Sequence, residues 1–265
     1  MKNEIVKRLH IIGDVHGCIE ELRELIQKLD LQPYDEIIML GDLCDKGNDS
    51  PGVIKYVREL SEAYRVTAII GNHEFKHLRY LHQLSQGKAP KMKNADEIKK
   101  IQDNLSKEDQ DFLRQMPLWK GVKMHNTTYL CVHAGVPSHH SKLYQMVGQE
   151  LIDRKSSLQD LMFTRYERDG KMVVLGEEVP SDKFWVEIYD GRFGFVLFGH
   201  QPFIQEEPPI YKHAIALDTG CVYGGWLTAF TACQYADGAI IEYFTQAKAK
   251  QVYSDYGRDY KKNLE

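Results

Sequence analysis

The chain has 265 residues, of which 43% are hydrophobic and 27% are charged, a composition typical of an ordinary soluble globular protein. The formal net charge of −4 argues against a protein built to bind nucleic acid or an anionic membrane, and no apolar run approaches the roughly 20 residues of a membrane span. The five cysteines lie far apart, and the first predicted strand begins too close to the N-terminus to leave room for a signal peptide. We therefore expect a cytoplasmic protein with free thiols.

The first third of the chain predicts three strand-loop-helix units. Apolar runs predict strands at 7–12, 37–40 and 66–70. A helical period of apolar residues begins at Ile19 after the first strand, and Ser50 followed by Pro51 predicts the cap and first turn of a second helix. Such units imply a parallel sheet covered by helices.

Residues 85–116 are rich in charge and poor in large apolar side chains. Ser106 and Asp109 have the spacing of a capping box, which predicts a helix that ends near Met116. The segment is interpreted either as a solvated helical insertion or as a cap that brings lysines to an anionic substrate. The sequence does not separate the two.

The remainder of the chain predicts more strands. Helix and loop are expected at 138–161, and apolar runs predict strands at 127–132, 195–198, 214–217, 227–233 and 239–244. Consecutive strands after the strand-helix units indicate a second, largely antiparallel sheet packed on the first. We predict one domain at 1–245, which includes the 85–116 insertion, and a polar tail at 246–265 that is an exposed helix or a frayed end.

Polar side chains follow five of the predicted strands, at the point where each strand ends. They are Asp14 and His16, Asp42, Asn72 and His73, His133, and His200. Each would alone be more often a turn residue, but ligands bind at the carboxyl ends of strands in open α/β sheets. Carboxylate, amide and imidazole groups together suit Mn, Fe or Zn, and two such ions need a bridging ligand. The pattern therefore predicts a two-metal site with Asp42 as the bridging carboxylate.

Four motifs together resemble those of the calcineurin-like metallophosphoesterases, specifically the phosphoprotein phosphatase branch. They are GDVHG at 13–17, GDLCDKG at 41–47, GNHE at 71–74 and VHAGV at 132–136, within a resemblance that runs over about 9–244. The resemblance implies an α/β (mixed α+β) fold, a four-layer sandwich of two mixed β-sheets flanked by helices.

The same resemblance implies roles for individual residues. One divalent metal ion, expected to be Mn²⁺ with Fe or Zn possible, is assigned to Asp14, His16 and Asp42. The second is assigned to Asp42, Asn72, His133 and His200. His73, paired with Asp45, is expected to protonate the leaving oxygen, which is general-acid work that suits an imidazole.

Substrate phosphates are expected to meet several further side chains. Lys46 occupies the position where the family usually has Arg. It keeps the positive charge but cannot bind a phosphate with two parallel hydrogen bonds as a guanidinium group does. Arg165 is a looser match to the family's second phosphate-holding arginine. Tyr223 is expected on a loop at the wall of the cleft. Lys76 and Arg79 are interpreted either as the solvated face of a helix or as contacts to substrate phosphates. The other histidines are expected to have no catalytic role: His10, His77, His82, His125, His139, His140 and His213.

The expected activity is hydrolysis of phosphate esters or anhydrides by metal-activated water. The DTGCVYGG segment at 218–225 is similar to symmetrical diadenosine tetraphosphate hydrolases, which favours dinucleoside polyphosphates as substrates. Glu74 is more typical of protein phosphatases, so Ser/Thr phosphoproteins are the alternative. GHQP at 199–202 lacks the Gly-His-x-His of related nucleases, so we expect no nucleic acid as partner and no membrane. A binding module that has lost its chemistry is disfavoured because every ligand position is present.

Overall fold

The computed structural model describes residues 4–153 and 157–257. The helices in this part of the chain are α1 (Ile19–Leu29), α2 (Ser50–Ala63), α3 (Asn72–Ser85), α4 (Ala95–Asp103), α5 (Lys107–Gln115), α6 (Gly148–Asp153) and α7 (Trp185–Ile188), with 3₁₀ turns at Ser157–Met162 and Cys221–Tyr223. The strands are β1 (Ile5–Ile12), β2 (Glu36–Met39), β3 (Arg65–Ala68), β4 (Trp119–Met124), β5 (Thr127–Val132), β6 (Tyr166–Arg168), β7 (Lys171–Met172), β8 (Lys183–Phe184), β9 (Phe195–Phe198), β10 (Ala214–Ala216), β11 (Trp226–Tyr235) and β12 (Ile240–Lys248).

The two main sheets are both mixed. The first has the strand order β12-β11-β1-β2-β3, in which β1, β2 and β3 are parallel and β11 and β12 are antiparallel to their neighbours. The second has the order β10-β9-β5-β4, in which only β4 runs antiparallel to its neighbour. A small third sheet, β7-β6-β8, lies between α6 and β9 in the chain.

The expectation of a largely antiparallel second sheet is wrong. The long C-terminal hairpin of β11 and β12 adds to the free edge of β1 in the first sheet, where Ile12 pairs with Ala229. The second sheet is built from β9 and β10, which pair in parallel beside β5. The sequence of a hairpin does not indicate which sheet edge the hairpin will join. Here the hairpin pairs with the free edge of β1.

Two layers of apolar side chains hold the sheets and helices together. Leu9 and Ile38 of the first sheet meet Tyr129 and Leu197 of the second in a layer between the sheets. Residues that alternate with these, such as Met39, face the helices on the outer side of the first sheet. Strands buried on both faces read as continuous apolar runs, which is why the sequence predicted them well. The four-layer α/β sandwich is thereby confirmed.

The 85–116 insertion is packed against the main body. The predicted capping box is present at Ser106, and Arg58 of α2 reaches Asp109 of α5 with an Nε–Oδ1 distance of 2.7 Å. Ile98 and Leu113 are buried. The insertion is therefore an integral part of the described structure, and α4 forms one wall of the cleft that the site opens into.

Two local predictions need correction. Asp49 rather than Ser50 caps α2, because its Oδ1 accepts a hydrogen bond from the Gly52 amide at 2.8 Å, while Ser50 Oγ accepts from the Asp45 amide at 2.9 Å. Strand β12 continues to Lys248, so the predicted boundary between 245 and 246 falls inside a strand. The segment that follows contacts the domain through Tyr253, whose hydroxyl donates to Glu21 Oε1 at 2.8 Å. Residues 258–265 of the predicted tail lie outside the described residues.

All five cysteines are buried free thiols, as predicted. None of the helices in the described ranges is both long and apolar enough to cross a bilayer.

Candidate metal centre

The structure brings the six predicted metal ligands to one edge of the sandwich. Asp14 and His16 follow β1, Asp42 follows β2, and Asn72 opens α3 just after β3. His133 and His200 follow β5 and β9 of the second sheet. The carboxyl ends of these parallel strands therefore meet where the two sheets face each other.

Asp42 lies between two groups of ligand atoms. Its Oδ2 is 3.5 Å from His16 Nε2, and its Oδ1 is 3.4 Å from His133 Nε2. Asn72 Oδ1 lies 3.0 Å from His133 Nε2 and 2.9 Å from His200 Nδ1. One carboxylate thus faces a ligand group on each side, which is the arrangement that a bridging ligand requires.

Backbone carbonyl groups orient two of the imidazole rings. His16 Nδ1 donates to the carbonyl of Cys44 at 2.9 Å, and His133 Nδ1 donates to the carbonyl of Leu40 at 2.7 Å. Each contact turns Nε2 towards Asp42, as in metal-binding histidines whose other nitrogen is held by a carbonyl. The Lys46 ammonium donates to His16 Nε2 at 3.0 Å, so a positive charge already meets that nitrogen.

The site concentrates buried negative charge. Burial raises the pKa of Asp14 well above its usual range, and the neighbouring Asp218 raises it further. Burial also raises the pKa of Asp218 to about 6. Burial likewise opposes ionisation of Asp42, but His133 and His73 outweigh it and hold the pKa of Asp42 well below its ordinary value.

One observation tests directly whether divalent cations fit this site. Asp14 Oδ1 is buried and has no hydrogen-bond partner among the described residues, an arrangement that is costly unless a cation compensates it. The donor set of carboxylate, imidazole and amide oxygen suits Mn, Fe or Zn. The residues present therefore fit a divalent metal centre.

The backbone around the centre is strained. Positive φ angles at non-glycine residues occur at five site positions: His16, Asp42, Asp45, Lys46 and His200. Such conformations cost about 1–3 kcal/mol each and persist where the surroundings impose them, most often at functional sites. Close approach is imposed at Gly71 and Gly199, where a Cβ atom would clash with the carboxylates of Asp42 and Asp14.

Glu74 supports the Asp42 loop from inside the protein. Its Oε2 accepts from the amides of Asp42 and Gly71 at 2.8 and 3.0 Å, and its Oε1 accepts from the amides of Leu43 and Cys44 at 2.8 and 3.2 Å. The side chain is fully buried. Glu74 therefore holds the loop and does not face the substrate, so it gives no contact that would favour a phosphoprotein.

The predicted His73–Asp45 pair is present and is part of a longer chain of contacts. His73 Nδ1 lies 2.5 Å from Asp45 Oδ2, and His77 Nε2 donates to Asp45 Oδ1 at 2.9 Å. Gln102 of α4 donates to His77 Nδ1 at 2.8 Å. Burial and the Lys76 ammonium lower the pKa of His73 to about 4, although Asp42 and Asp45 oppose this.

Sequence reasoning missed the part that His77 plays. The available signal was its spacing, because His77 lies four residues after His73 and shares a face of α3 with it. The Gln102 contact carried no signal, since it comes from the separate insertion. Asp218 was quoted only within a motif, and the structure adds it to the charge at the centre.

The centre opens into a cleft with two arms that share Lys46, His73 and Lys76. The apolar arm has a volume of about 280 Å³, and the residues that line it include Phe163, Arg165, Met172, Val173, Val174, Leu175 and Glu178. The basic arm has a volume of about 590 Å³, and the residues that line it include Arg79, Lys93, Glu97 and Lys100.

The predicted substrate-binding residues fall into different places. Lys76 lies beside the His73–Asp45 pair, with its Nζ 3.3 Å from His73 Nδ1. Arg165 donates from Nη2 to the His200 carbonyl at 3.1 Å, and its Nε has no hydrogen-bond partner among the described residues. Tyr223 is 9% exposed and packs behind Lys46, whose ammonium lies 5.2 Å from the ring centroid. Tyr223 therefore supports Lys46 and is not part of the lining of either arm.

The chain is similar in sequence to proteins named bis(5'-nucleosyl)-tetraphosphatases. The chain is 31% identical to the asymmetrical bis(5'-nucleosyl)-tetraphosphatase PrpE of Oceanobacillus iheyensis, over 84% of this chain and 88% of that protein. It is 30% identical to the symmetrical bis(5'-nucleosyl)-tetraphosphatase of Glaesserella parasuis serovar 5, over 83% of this chain and 92% of that protein.

Solved structures give a consistent fold. A crystal structure assigned to a diadenosine tetraphosphatase has a TM-score of 0.65 at 25% identity, and the match covers 91% of this chain and 98% of that one. A protein serine/threonine phosphatase from Saccharomyces cerevisiae has a TM-score of 0.56 at 15% identity over 94% of this chain and 85% of that one, which is a likeness of fold alone.

The sequence model of the calcineurin-like phosphoesterases matches residues 7–203, which span all six converging ligand positions. A dinuclear divalent metal site and hydrolysis of phosphate esters or anhydrides are properties of that family, and the geometry described above has the residues for both. The chain belongs to the calcineurin-like phosphoesterase family.

Proposed function

We propose that the protein hydrolyses dinucleoside polyphosphates such as diadenosine tetraphosphate. The observation that carries this proposal is the basic arm, which places Arg79, Lys93 and Lys100 beside the metal centre and extends away from it. A substrate with several linked phosphates has negative charge to match this arm, whereas a phosphomonoester has a single phosphate. The names of the relatives at 30% and 31% identity support the same substrate class.

In this proposal six residues hold two divalent ions. Asp14, His16 and Asp42 hold one, and Asp42 with Asn72, His133 and His200 holds the other. Two ions so held, proposed to be Mn²⁺, would supply Lewis-acid activation of water and of the phosphoryl group.

The protein's own side chains orient the substrate and move a proton. Lys46 and Arg165 stabilise the negative charge that develops on the transferred phosphoryl group, because both reach the centre from the cleft walls. His73 donates from Nε2 to the leaving oxygen while its Nδ1–H donates to Asp45, which requires the imidazolium form. The negative charge of a bound polyphosphate favours that form by raising the pKa of His73 from about 4. His77 and Gln102 position Asp45.

A second candidate function is dephosphorylation of Ser/Thr phosphoproteins. It is supported by the fold shared with the yeast protein phosphatase and by a centre that faces an open cleft. A binding module without chemistry has less support, because the chain keeps a residue able to bind metal at each of the six proposed ligand positions, as well as the His73–Asp45 pair. We also propose a cytoplasmic location, since five buried free thiols suit a reducing compartment.

The substrate is tested by comparing specificity constants. The Mn²⁺-loaded protein is given diadenosine tetraphosphate and, separately, a phosphothreonine peptide, with Asp42→Asn as the inactive control. We expect kcat/KM to favour the dinucleotide. The products identify the phosphorus attacked, because symmetrical cleavage gives two ADP and asymmetrical cleavage gives ATP and AMP. A tenfold preference for the peptide, about 1.4 kcal/mol of transition-state stabilisation, would contradict the proposal.

A further inference from the structure

The two arms of the cleft differ in chemistry although they meet at the same centre. The basic arm is lined by Lys93 and Lys100 of the insertion and by Arg79 of α3. Beyond the residues of the centre itself, the apolar arm is lined by one aromatic, one thioether and three aliphatic side chains together with Glu178, and by Arg165 at the end next to His200. A ligand that fills both arms needs a polyanionic part and an apolar, stackable part.

The apolar arm is held in place by the surrounding fold. Phe163 packs edge-on against Phe75 of α3, with ring centroids 6.2 Å apart. Met172 ends β7, and the Val173 amide donates to the Tyr166 carbonyl at 2.8 Å, so the small third sheet fixes the opposite wall. Val174 of this wall is 56% exposed, so the arm is open to solvent on that side.

We propose that the apolar arm binds one nucleoside of the substrate, with its base against Phe163 and Met172. This inference rests on the proposed function and assigns an orientation to it. The phosphates attached to that nucleoside pass Arg165 and Lys46 at the centre, and the rest of the polyphosphate extends into the basic arm. Glu178 lies in the lining of the apolar arm and offers carboxylate oxygen to the hydroxyl groups of the ribose.

Charge complementarity favours a nucleotide over a peptide. A phosphopeptide brings one phosphate to the centre and leaves the lysines of the basic arm without partners from the substrate. A dinucleoside polyphosphate supplies a stackable base at each end and several phosphates between them, so one base can enter the apolar arm while the phosphates reach the basic arm. Aromatic side chains stack on any base because every base has a π face, so Phe163 suits this role without selecting one base.

The test separates stacking from packing at Phe163. Phe163→Leu keeps an apolar contact with Phe75 but removes the aromatic face, whereas Phe163→Tyr keeps the face. We expect Phe163→Leu to raise KM for diadenosine tetraphosphate about tenfold with kcat within about twofold, and Phe163→Tyr to stay near the wild type. The inhibition constant of inorganic tripolyphosphate, which has no base, should change less than about twofold in both variants.

Two controls complete the experiment. Phe244→Leu removes a partly buried aromatic ring of β12 that packs in the layer between the sheets, and it should leave KM unchanged. Lys93→Gln with Lys100→Gln should raise both the tripolyphosphate inhibition constant and KM, because these lysines act on phosphate.

Each failure has a distinct meaning. The nucleoside assignment is wrong, and the proposed function stands, if the wild type cleaves the dinucleotide and Phe163→Leu leaves its KM unchanged. The same holds if Phe163→Leu raises the inhibition constant of tripolyphosphate by the same factor as KM. If Phe163→Leu instead weakens only a phosphopeptide, the arm accepts a peptide side chain and the assignment is overturned. If the wild type cleaves p-nitrophenyl phosphate but no dinucleotide, the proposed substrate itself is wrong.

Discussion

Replacing Glu74 with Gln should weaken the loop that carries Asp42. Each Glu74 oxygen accepts from two backbone amides, so the amide nitrogen of Gln would face two N–H donors whichever way it is placed. A buried donor left without an acceptor costs about 1–3 kcal/mol, so two such donors cost about 2–6 kcal/mol. This is a large part of the total stability of a typical domain, about 5–15 kcal/mol.

We expect Glu74→Gln to lower the free energy of unfolding by about 4 kcal/mol. The corresponding fall in melting temperature is about 10 °C for a chain of this size. Metal affinity should fall with it, because the displaced amide of Asp42 carries the proposed bridging ligand. Urea unfolding and calorimetric Mn²⁺ titration measure the two effects.

The matched control is Glu59→Gln on the exposed face of α2, where the side chain is 49% exposed and its ion pair with Lys55 spans 3.9 Å. Such a surface change should alter stability by less than about 0.5 kcal/mol. If Glu74→Gln has the same melting temperature as Glu59→Gln and binds Mn²⁺ like the wild type, Glu74 does not hold this loop.

Three further predictions address the centre and the core. Asp42→Asn should lose metal and at least about 10²-fold in kcat while circular dichroism stays native, and retained metal would contradict its bridging role. His73→Asn should keep its metal, measured by elemental analysis, but lose about 10²- to 10⁴-fold in kcat for the dinucleotide, and an unchanged kcat would exclude it as the proton donor. Burial lowers the pKa of His10 below its ordinary value of 6.5, against the nearby Asp35. As the pH falls, His10 is therefore protonated in the unfolded chain before it is protonated in the folded protein. The free energy of unfolding of the wild type relative to His10→Gln should fall between about pH 7.5 and 5.5, by at most about 1.4 kcal/mol per pH unit. Urea unfolding measures this, and the same pH dependence in both proteins would contradict it.

The convergence of the six ligand positions could be predicted because it follows from local signals. Asp42 comes directly after a buried parallel strand, and His133 follows another in the same way. Parallel strands present their carboxyl ends at the same edge, so short-range pattern and sheet geometry together bring the ligands close. The four motifs then added what each position does in related proteins.

Contacts between distant parts of the chain could not be predicted from such local signals. The contact of Gln102 with His77 depends on how the insertion packs α4 against α3. Tyr223 lies within the 218–225 motif, yet the packing of its loop places the ring against Lys46 and outside the lining of the two arms. The hairpin of β11 and β12 joined the first sheet for a similar reason, since the free edge of β1 has no signature in the hairpin itself.

The division of the cleft also depends on tertiary structure. Met172 lies in the small third sheet, whose short strands have little periodicity in the sequence, and it meets Phe163, which precedes that sheet, in the lining of the cleft. The basic residues of 85–116 were visible in the sequence, but the choice between a solvated surface and a substrate-facing wall required the position of α4.

The dinuclear centre is tested most directly by anomalous X-ray diffraction from crystals grown with Mn²⁺. We expect two anomalous peaks about 3.5–4 Å apart. They should lie on opposite sides of the Asp42 carboxylate, one near His16 and the other near His133. A single peak, or peaks that do not contact Asp42, would contradict a dinuclear centre bridged by Asp42.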